Sequence, residues 1–172
     1  MRTKILKTAV LGAVIAAATF GATAAHAASA TGQAKAKILR QITLTNTSDL
    51  QFATVISGAA ASTVGVSTAG AVTCGASLTC IGTTTAANFD IQGSNNAVVV
   101  VGGDASVTLT GDLGGTMSAS LVYSSAPTNL ITLTAGPGTV GGSFRVGGSL
   151  AVGANQSSGN YTGTFNVTAN YQ

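Results

Sequence analysis

Residues 159–172 read Gly-Asn-Tyr-Thr-Gly-Thr-Phe-Asn-Val-Thr-Ala-Asn-Tyr-Gln, and this stretch carries the clearest structural pattern in the chain. Every second residue of it is apolar or glycine, and the residues between them are Thr or Asn. Because side chains of a β-strand point alternately to two faces, the pattern predicts one unbroken, half-buried strand. Its inward set is Tyr161, Gly163, Phe165, Val167, Ala169 and Tyr171.

The same alternation recurs towards the N-terminus. Residues 144–152 alternate over a similar length, shorter runs extend back to residue 34, and sustained helical periodicity is absent after residue 27. Eight to ten short strands with Gly-rich turns predict an all-β fold, an antiparallel β-sandwich of immunoglobulin-like kind over residues 34–172. The alternation also fits a small closed sheet.

The first 27 residues predict a helical secretory signal peptide. A basic start, Met1–Lys7, precedes an apolar run rich in Ala, and Ala25-His26-Ala27 forms a small-x-small cleavage site. We therefore expect cleavage between Ala27 and Ala28, followed by a flexible stretch over residues 28–33. The alternative is a retained membrane anchor, but the apolar run of about 17 residues is short for a permanent span. The expected location is the periplasm, the cell surface or the medium, with no integral membrane segment after cleavage.

The charges leave little room for catalysis or nucleic-acid binding. After residue 27 the chain has four basic and four acidic residues, so the mature chain is neutral. It therefore lacks the basic surface that binds nucleic acid. The one histidine, His26, lies in the signal peptide, which excludes His-based mechanisms from the mature chain. The sequence predicts no enzyme, no cofactor and no metal site. Asp104 and Asp112 are expected to be solvated turn residues, with calcium binding as the alternative.

Two cysteines, Cys74 and Cys80, are the only ones in the chain. An even number at close spacing in an exported protein predicts a disulfide. We expect it to staple a hairpin over residues 71–82; a redox pair is the alternative, and a metal site would lack further ligands.

The C-terminus also resembles that of chaperone–usher pilin subunits, which carry a penultimate Tyr and a Gly fourteenth from the end. Tyr171 and Gly159 occupy these positions here. The resemblance implies an incomplete immunoglobulin-like fold whose groove is filled by a strand from a periplasmic chaperone or the next subunit. The residues it assigns to assembly are Gly159, Tyr161, Gly163, Phe165, Val167, Ala169 and Tyr171.

A wider resemblance covers essentially the whole mature chain. It rests on Ile42-Thr43-Leu44, on Leu50-x-Phe52, on the run from Val146 to Ala154, and on the C-terminal repeat from Gly159. These motifs resemble domain-of-unknown-function family 4402, a family of exported bacterial proteins. The resemblance implies a pilin- or adhesin-like sandwich in a Gram-negative envelope, with no established activity.

Two roles are open for the residues that precede the core. Ala30, Gly32, Ala34, Ala36 and Ile38 could form a donor strand for a neighbour, or the chain from Ala34 could be the domain's own first strand, which we favour. The leading hypothesis is a structural or adhesive surface protein, a fimbria-like subunit that assembles with copies of itself or related subunits. The alternative is a monomeric binding module for a carbohydrate or matrix component.

Overall fold

The computed structural model describes residues 27–136 and 138–172. Residues 37–172 form one compact unit, and the described residues before Lys37 belong to a separate one. In the described part of the chain every regular element is a strand. The strands are β1 (Thr43–Ser48), β2 (Thr54–Ile56), β3 (Ser62–Val66), β4 (Val72–Cys74), β5 (Thr79–Ile81), β6 (Ala87–Gln92), β7 (Val98–Gly103), β8 (Ser106–Gly111), β9 (Thr116–Tyr123), β10 (Leu130–Thr132), β11 (Gly142–Val152), β12 (Tyr161–Thr162) and β13 (Val167–Tyr171).

Three sheets, all with antiparallel pairing, make up the compact unit. The large sheet has the order β1-β6-β11-β9-β8-β12, and β3 pairs with the second half of β11 and carries β4 on its other edge. A three-stranded sheet has the order β10-β7-β13, and β2 pairs with β5. The long central strand β11 is therefore shared by β6, β3 and β9.

Strands β7 and β8 are nearly continuous, yet they belong to different sheets. β7 lies in the three-stranded sheet and β8 in the large one, and only Asp104 and Ala105 separate them. Such a bend carries the chain from one layer of a sandwich to the other.

The core lies between the large sheet and the two smaller ones. The rings of Phe89 and Phe144 stack with centroids 5.3 Å apart, and Phe165 meets Phe89 edge-on at 6.2 Å. Alternate residues of β6, β7 and β11 supply half of the other buried residues in the core cluster, as period-two patterning requires. The fully buried large residues are Phe144, Ile91, Leu133, Val64, Val99, Val101 and Val146.

The structure confirms the predicted all-β, antiparallel class. The strand expected from Ala34 is a wrong prediction, because residues 27–42 contain no strand and β1 begins at Thr43. Ala34 and Ala36 have little apolar area to bury, whereas Ile42 and Leu44 pack against the core. The predicted helical signal peptide lies outside the described residues, apart from Ala27.

Candidate functional site

The C-terminal segment, residues 161–171, is divided between two sheets. Tyr161 pairs with Gly111 of β8 in the large sheet, and β13 pairs with β7 in the three-stranded sheet, from Val167 opposite Gly103 to Tyr171 opposite Val99. The prediction of a single unbroken strand was therefore wrong. The reason is that its partner bends between β7 and β8, and the C-terminal segment follows that bend.

Two aspartates, one at each end of β8, accept hydrogen bonds from the bent C-terminal segment. Asn160 donates its backbone N–H to Asp112 Oδ1 at 2.9 Å and its side-chain amide to Oδ2 at 2.8 Å. Asn166 donates its backbone N–H to Asp104 Oδ2 at 2.7 Å and its side-chain amide to the same oxygen at 3.4 Å. The side-chain hydrogen bond from Asn160, followed by its backbone hydrogen bond, lowers the pKa of Asp112 below its ordinary value. Both aspartates thus position the segment.

The first part of the predicted assembly set lies beside β8. Gly159 has φ of 150°, and a Cβ on it would lie 2.5 Å from Asp112 Oδ1. The Tyr161 hydroxyl lies 2.8 Å from the Ser157 carbonyl oxygen and accepts a hydrogen bond from Gln156 Nε2 at 2.8 Å. Gly163 allows the backbone to pass close to β8, because a Cβ there would lie 2.5 Å from the Thr108 carbonyl oxygen.

The second part of the set lies over β6. Phe165 packs on Phe89, and the Tyr171 hydroxyl accepts the backbone N–H of Ser94 at 2.8 Å. Val167, Ala169 and Tyr171 share one face of β13 and are half-buried against the core. The structure therefore brings this part of the set onto one strand, while Gly159 and Tyr161 lie at the other end of the segment.

One edge of the C-terminal segment has no strand partner among the described residues. β12 pairs only with β8, and β13 pairs only with β7. β12 lies on the edge of β8 away from β9, and β13 lies on the edge of β7 away from β10, so the two free edges follow one flank along the bent strand. The sandwich is open along this flank.

A cleft of about 940 Å³ lies at the Tyr161 end of that edge. One wall is the segment Leu50–Ser57, which includes β2, and a second wall is formed by residues 156–162. The two walls meet where the Ser57 hydroxyl donates to the Gln156 carbonyl oxygen at 3.3 Å. The described residues that line it carry no charged side chain. The strands behind it contribute an apolar floor of Leu109, Met117, Leu150 and Val152.

Nothing in the sequence pattern indicated that Leu50–Ser57 forms a wall of a cleft. Within this wall Ala53 has φ of 63°, a left-handed conformation that is uncommon for a residue with a side chain. The conformation lets the chain turn from the bridge between Gln51 and Thr85 to the pairing of β2 with β5. The sequence holds no glycine there, so nothing in it marks the turn.

The N-terminal segment, residues 28–41, has no secondary structure and is exposed at every residue except Leu39. Ile38 is 92% exposed, the highest value among the exposed large apolar side chains described. At its end, Arg40 donates its backbone N–H to Ser94 Oγ at 2.8 Å. The segment therefore leaves the compact unit beside Ser94, close to Tyr171.

The predicted disulfide between Cys74 and Cys80 is confirmed, with 6.0 Å between the Cα atoms. The hairpin predicted around it is wrong, because β4 pairs with β3 and β5 pairs with β2. The bond therefore ties the large sheet to the strand pair that forms a wall of the cleft.

Other predicted positions remain as predictions. The cleavage between Ala27 and Ala28 stays a prediction, because the signal peptide up to residue 26 lies outside the described part of the chain. Ala28 itself is exposed.

Between residues 27 and 172, leaving out residue 137, no group of three or more His, Cys, Asp or Glu side chains could hold a metal ion. Over the same residues no helix is long and apolar enough to cross a membrane.

Comparison with known proteins identifies a family. The profile of a family described as domain of unknown function (DUF4402) matches residues 42–171, which is most of the chain and includes both walls of the cleft. No curated protein and no solved structure matches the sequence.

Proposed function

The chain belongs to the family described as domain of unknown function (DUF4402), and we propose that it is an exported structural subunit of a surface fibre that assembles by β-strand complementation. In this mode of assembly an extended segment of one chain adds to an unpaired strand edge of another. The disulfide supports export, because such bonds persist in oxidising compartments outside the cytosol.

The observation that carries the proposal is the free edge of the C-terminal segment beside an uncharged cleft with an apolar floor. An unpaired edge presents a row of N–H and C=O groups that bind another strand. Here the half-buried Val167, Ala169 and Tyr171 follow the same edge, and the floor of the cleft adds Leu109 and Met117. A strand laid along the edge would complete both the hydrogen bonding and the burial of these side chains.

The N-terminal segment of a second chain is the proposed occupant. Ala30, Gly32, Ala34, Ala36 and Ile38 would face inward as a strand, and the outward residues include Lys35 and Lys37. No charge would enter the uncharged cleft, and both lysines would stay in water. The small inward side chains also leave the backbone free to approach the strand edge closely.

Ile38 is expected to decide the affinity. Fixing the backbone of each donor residue costs about 1 to 2 kcal/mol. Each hydrogen bond formed with the edge returns about 1 kcal/mol, so the hydrogen bonds alone do not exceed the cost of ordering the donor backbone. Burial of the Ile38 side chain adds about 2 kcal/mol, and no other inward residue of the segment offers a comparable area.

The proposal is tested with the mature chain, residues 28–172. We expect it to form oligomers at high concentration, measured by light scattering after gel filtration and by electron microscopy. The substitution Ile38→Ser should weaken assembly by at least tenfold in concentration, since about 2 kcal/mol corresponds to more than one factor of ten.

The matched control is Lys37→Ser, which changes the neighbouring residue on the opposite face of the donor strand. It should assemble like the unchanged chain. A mature chain that remains monomeric at millimolar concentration, with and without a periplasmic chaperone, would rule out the subunit function.

The size of the cleft supports a second candidate function, a monomeric binding module. A volume of about 940 Å³ falls within the range of about 300 to 1,000 Å³ that ligand sites occupy. Its uncharged, hydroxyl- and amide-bearing walls would suit a neutral ligand such as a carbohydrate. Competable binding on a glycan array by the Ile38→Ser variant, with no assembly of the unchanged chain, would favour this function.

A further inference from the structure

Met117 is the one side chain of the mature chain that a mild oxidant attacks readily. Between residues 28 and 172 it is the only methionine, and the sequence contains no tryptophan. The two cysteines are already joined in the disulfide, so neither offers a thiol. Hydrogen peroxide, which oxidises thioethers and thiols, therefore has a single preferred target in this chain.

The Met117 side chain lies on the floor of the cleft. It is paired with Leu109 across β8 and β9, and both residues line the cleft. Its neighbours Thr116 and Ser118 are exposed on the outer face of β9, whereas Met117 is half-buried on the inner face. The cleft of about 940 Å³ has room for many water molecules, each of which occupies about 30 Å³ in the liquid. A molecule as small as hydrogen peroxide can therefore reach the sulfur.

Oxidation of Met117 makes the apolar floor polar. Hydrogen peroxide transfers one oxygen atom to the thioether sulfur. The O–O bond of the peroxide breaks, an S–O bond forms, the sulfur loses two electrons and water leaves. The product, methionine sulfoxide, carries a hydrogen-bond acceptor that the thioether lacked, and sulfoxide reductases can restore the thioether.

The new acceptor is satisfied in an open cleft and unsatisfied in a filled one. Water can donate to the sulfoxide oxygen as long as the cleft is open. Under an apolar occupant the donor would have to come from the walls. The Gln156 amide, which reaches the Thr116 carbonyl oxygen at 3.5 Å, already uses its other N–H on the Tyr161 hydroxyl at 2.8 Å. Because a buried acceptor without a donor is destabilising, oxidation favours the empty cleft.

Resting on the proposed function, we propose that Met117 is an oxidation-sensitive switch on the cleft. Conversion of its thioether to the sulfoxide closes the cleft to an apolar occupant, and the strand of a neighbouring chain is the occupant that the proposed function supplies. A seated strand in turn covers the sulfur and slows its oxidation. Subunits oxidised before assembly are thus kept apart, while assembled subunits are protected.

Peroxide treatment of the chain 28–172, at a concentration where it is monomeric, tests the reactive site. Intact mass and peptide mapping should show one added oxygen, on Met117. The rate should stay close to that of the urea-unfolded chain. A sulfur that reacts only after global unfolding would be slower by about a thousandfold or more, since folded domains outnumber their unfolded forms by at least that factor. Such a slow reaction would overturn the proposal.

The closing of the cleft is measured with phenylnaphthylamine, an uncharged dye that fluoresces more strongly in apolar surroundings. Oxidation of the monomer should lower its affinity for the dye by about tenfold, the effect of one unsatisfied buried acceptor. The matched control is Met117→Leu, which has a similar volume and no reactive sulfur. Peroxide should leave the dye affinity of this variant at its own untreated value. Equal dye binding before and after oxidation of Met117, or an equal loss in the leucine variant, would overturn the switch.

Assembly gives a second measurement and separates the switch from the subunit function. Oxidised mature chain should need about tenfold more protein to assemble than untreated chain. Assembled chains should also be oxidised more slowly than monomers. Assembly that is unaffected by complete oxidation of Met117 would overturn the switch and leave the subunit function intact. A chain that never assembles, yet loses dye affinity on oxidation, would overturn the subunit function and support the switch.

Discussion

The C-terminal segment comes closest to β8 at Gly163. A Cβ on this residue would lie 2.5 Å from the Thr108 carbonyl oxygen and 3.0 Å from Val107 Cγ2. Because the backbone carbonyl cannot move aside without disturbing the sheet, Gly163→Ala should lower the free energy of unfolding by about 1 to 3 kcal/mol. Urea denaturation of the mature chain measures this. The control is Gly136→Ala, whose added Cβ would meet nothing within 4 Å; equal losses in the two variants would contradict the close approach.

Asp112 gives a prediction about acid. Its pKa is lowered by the Asn160 side-chain and backbone hydrogen bonds, so the folded carboxylate binds a proton less readily than the unfolded one. The resulting stabilisation is fully present above the unfolded pKa of about 3.9 and is lost as the pH falls through the lower folded value. Asp112→Asn should therefore lower Tm at pH 6 and lose this difference near pH 2. A Tm difference between the two proteins that persists unchanged in acid would show that the charge of Asp112 is not involved. As a second measurement, Asn160→Ala should raise the pKa of Asp112 in an NMR titration.

The partners of these residues could not be read from the sequence. Alternation identified Gly163 as part of the inward set, and turn chemistry identified Asp104 and Asp112 as residues beside a strand. Their asparagine partners lie 62 and 48 residues further along the chain. A pairing over such a distance is fixed only once the strands have their register.

Among the elements, the pair β2–β5 is the one most dependent on a covalent bond. Cys74–Cys80 closes a loop of about seven residues, for which the chain-entropy relation gives about 2 kcal/mol. The double variant Cys74→Ser, Cys80→Ser should lose about this much stability in urea. It should also assemble less well than its stability loss explains, because β2 forms a wall of the cleft.

Reduction of the unchanged protein is the control for that variant. If a reductant reproduces both losses, the bond is responsible and not the serine side chains. Unchanged assembly after the loss of the bond would show that the wall keeps its position without the tether.

The elements were predictable where burial repeats every two residues and less so where strands change sheets. Alternation over residues 144–152 corresponds to the C-terminal part of β11. The same pattern over residues 161–171 gave no sign that this segment is divided between two sheets. Alternation shows which side chains are buried, but it does not show with which strand the backbone pairs. The turn at Ala53 and the late start at Thr43 depend on what packs against them, which single-sequence patterns do not contain.

For the whole molecule, the all-β antiparallel class and the disulfide followed from composition, patterning and the pair of cysteines. The open flank was expected only through the resemblance of the C-terminus to pilin subunits. Its geometry needed coordinates, since it depends on the bend between β7 and β8 and on Leu50–Ser57 forming a wall of the cleft.

The lack of charge in the cleft predicts how the proposed assemblies would respond to ionic strength. Salt weakens contacts by screening charges, over about 10 Å at 0.1 M and about 3 Å at 1 M. The described lining of the cleft offers no charge to screen. The lifetime of an inserted strand, followed by exchange with fluorescently labelled subunits, should thus be nearly the same in dilute buffer and in brine. A fibre assembled through this cleft would therefore keep its length when the salt concentration around it rises or falls.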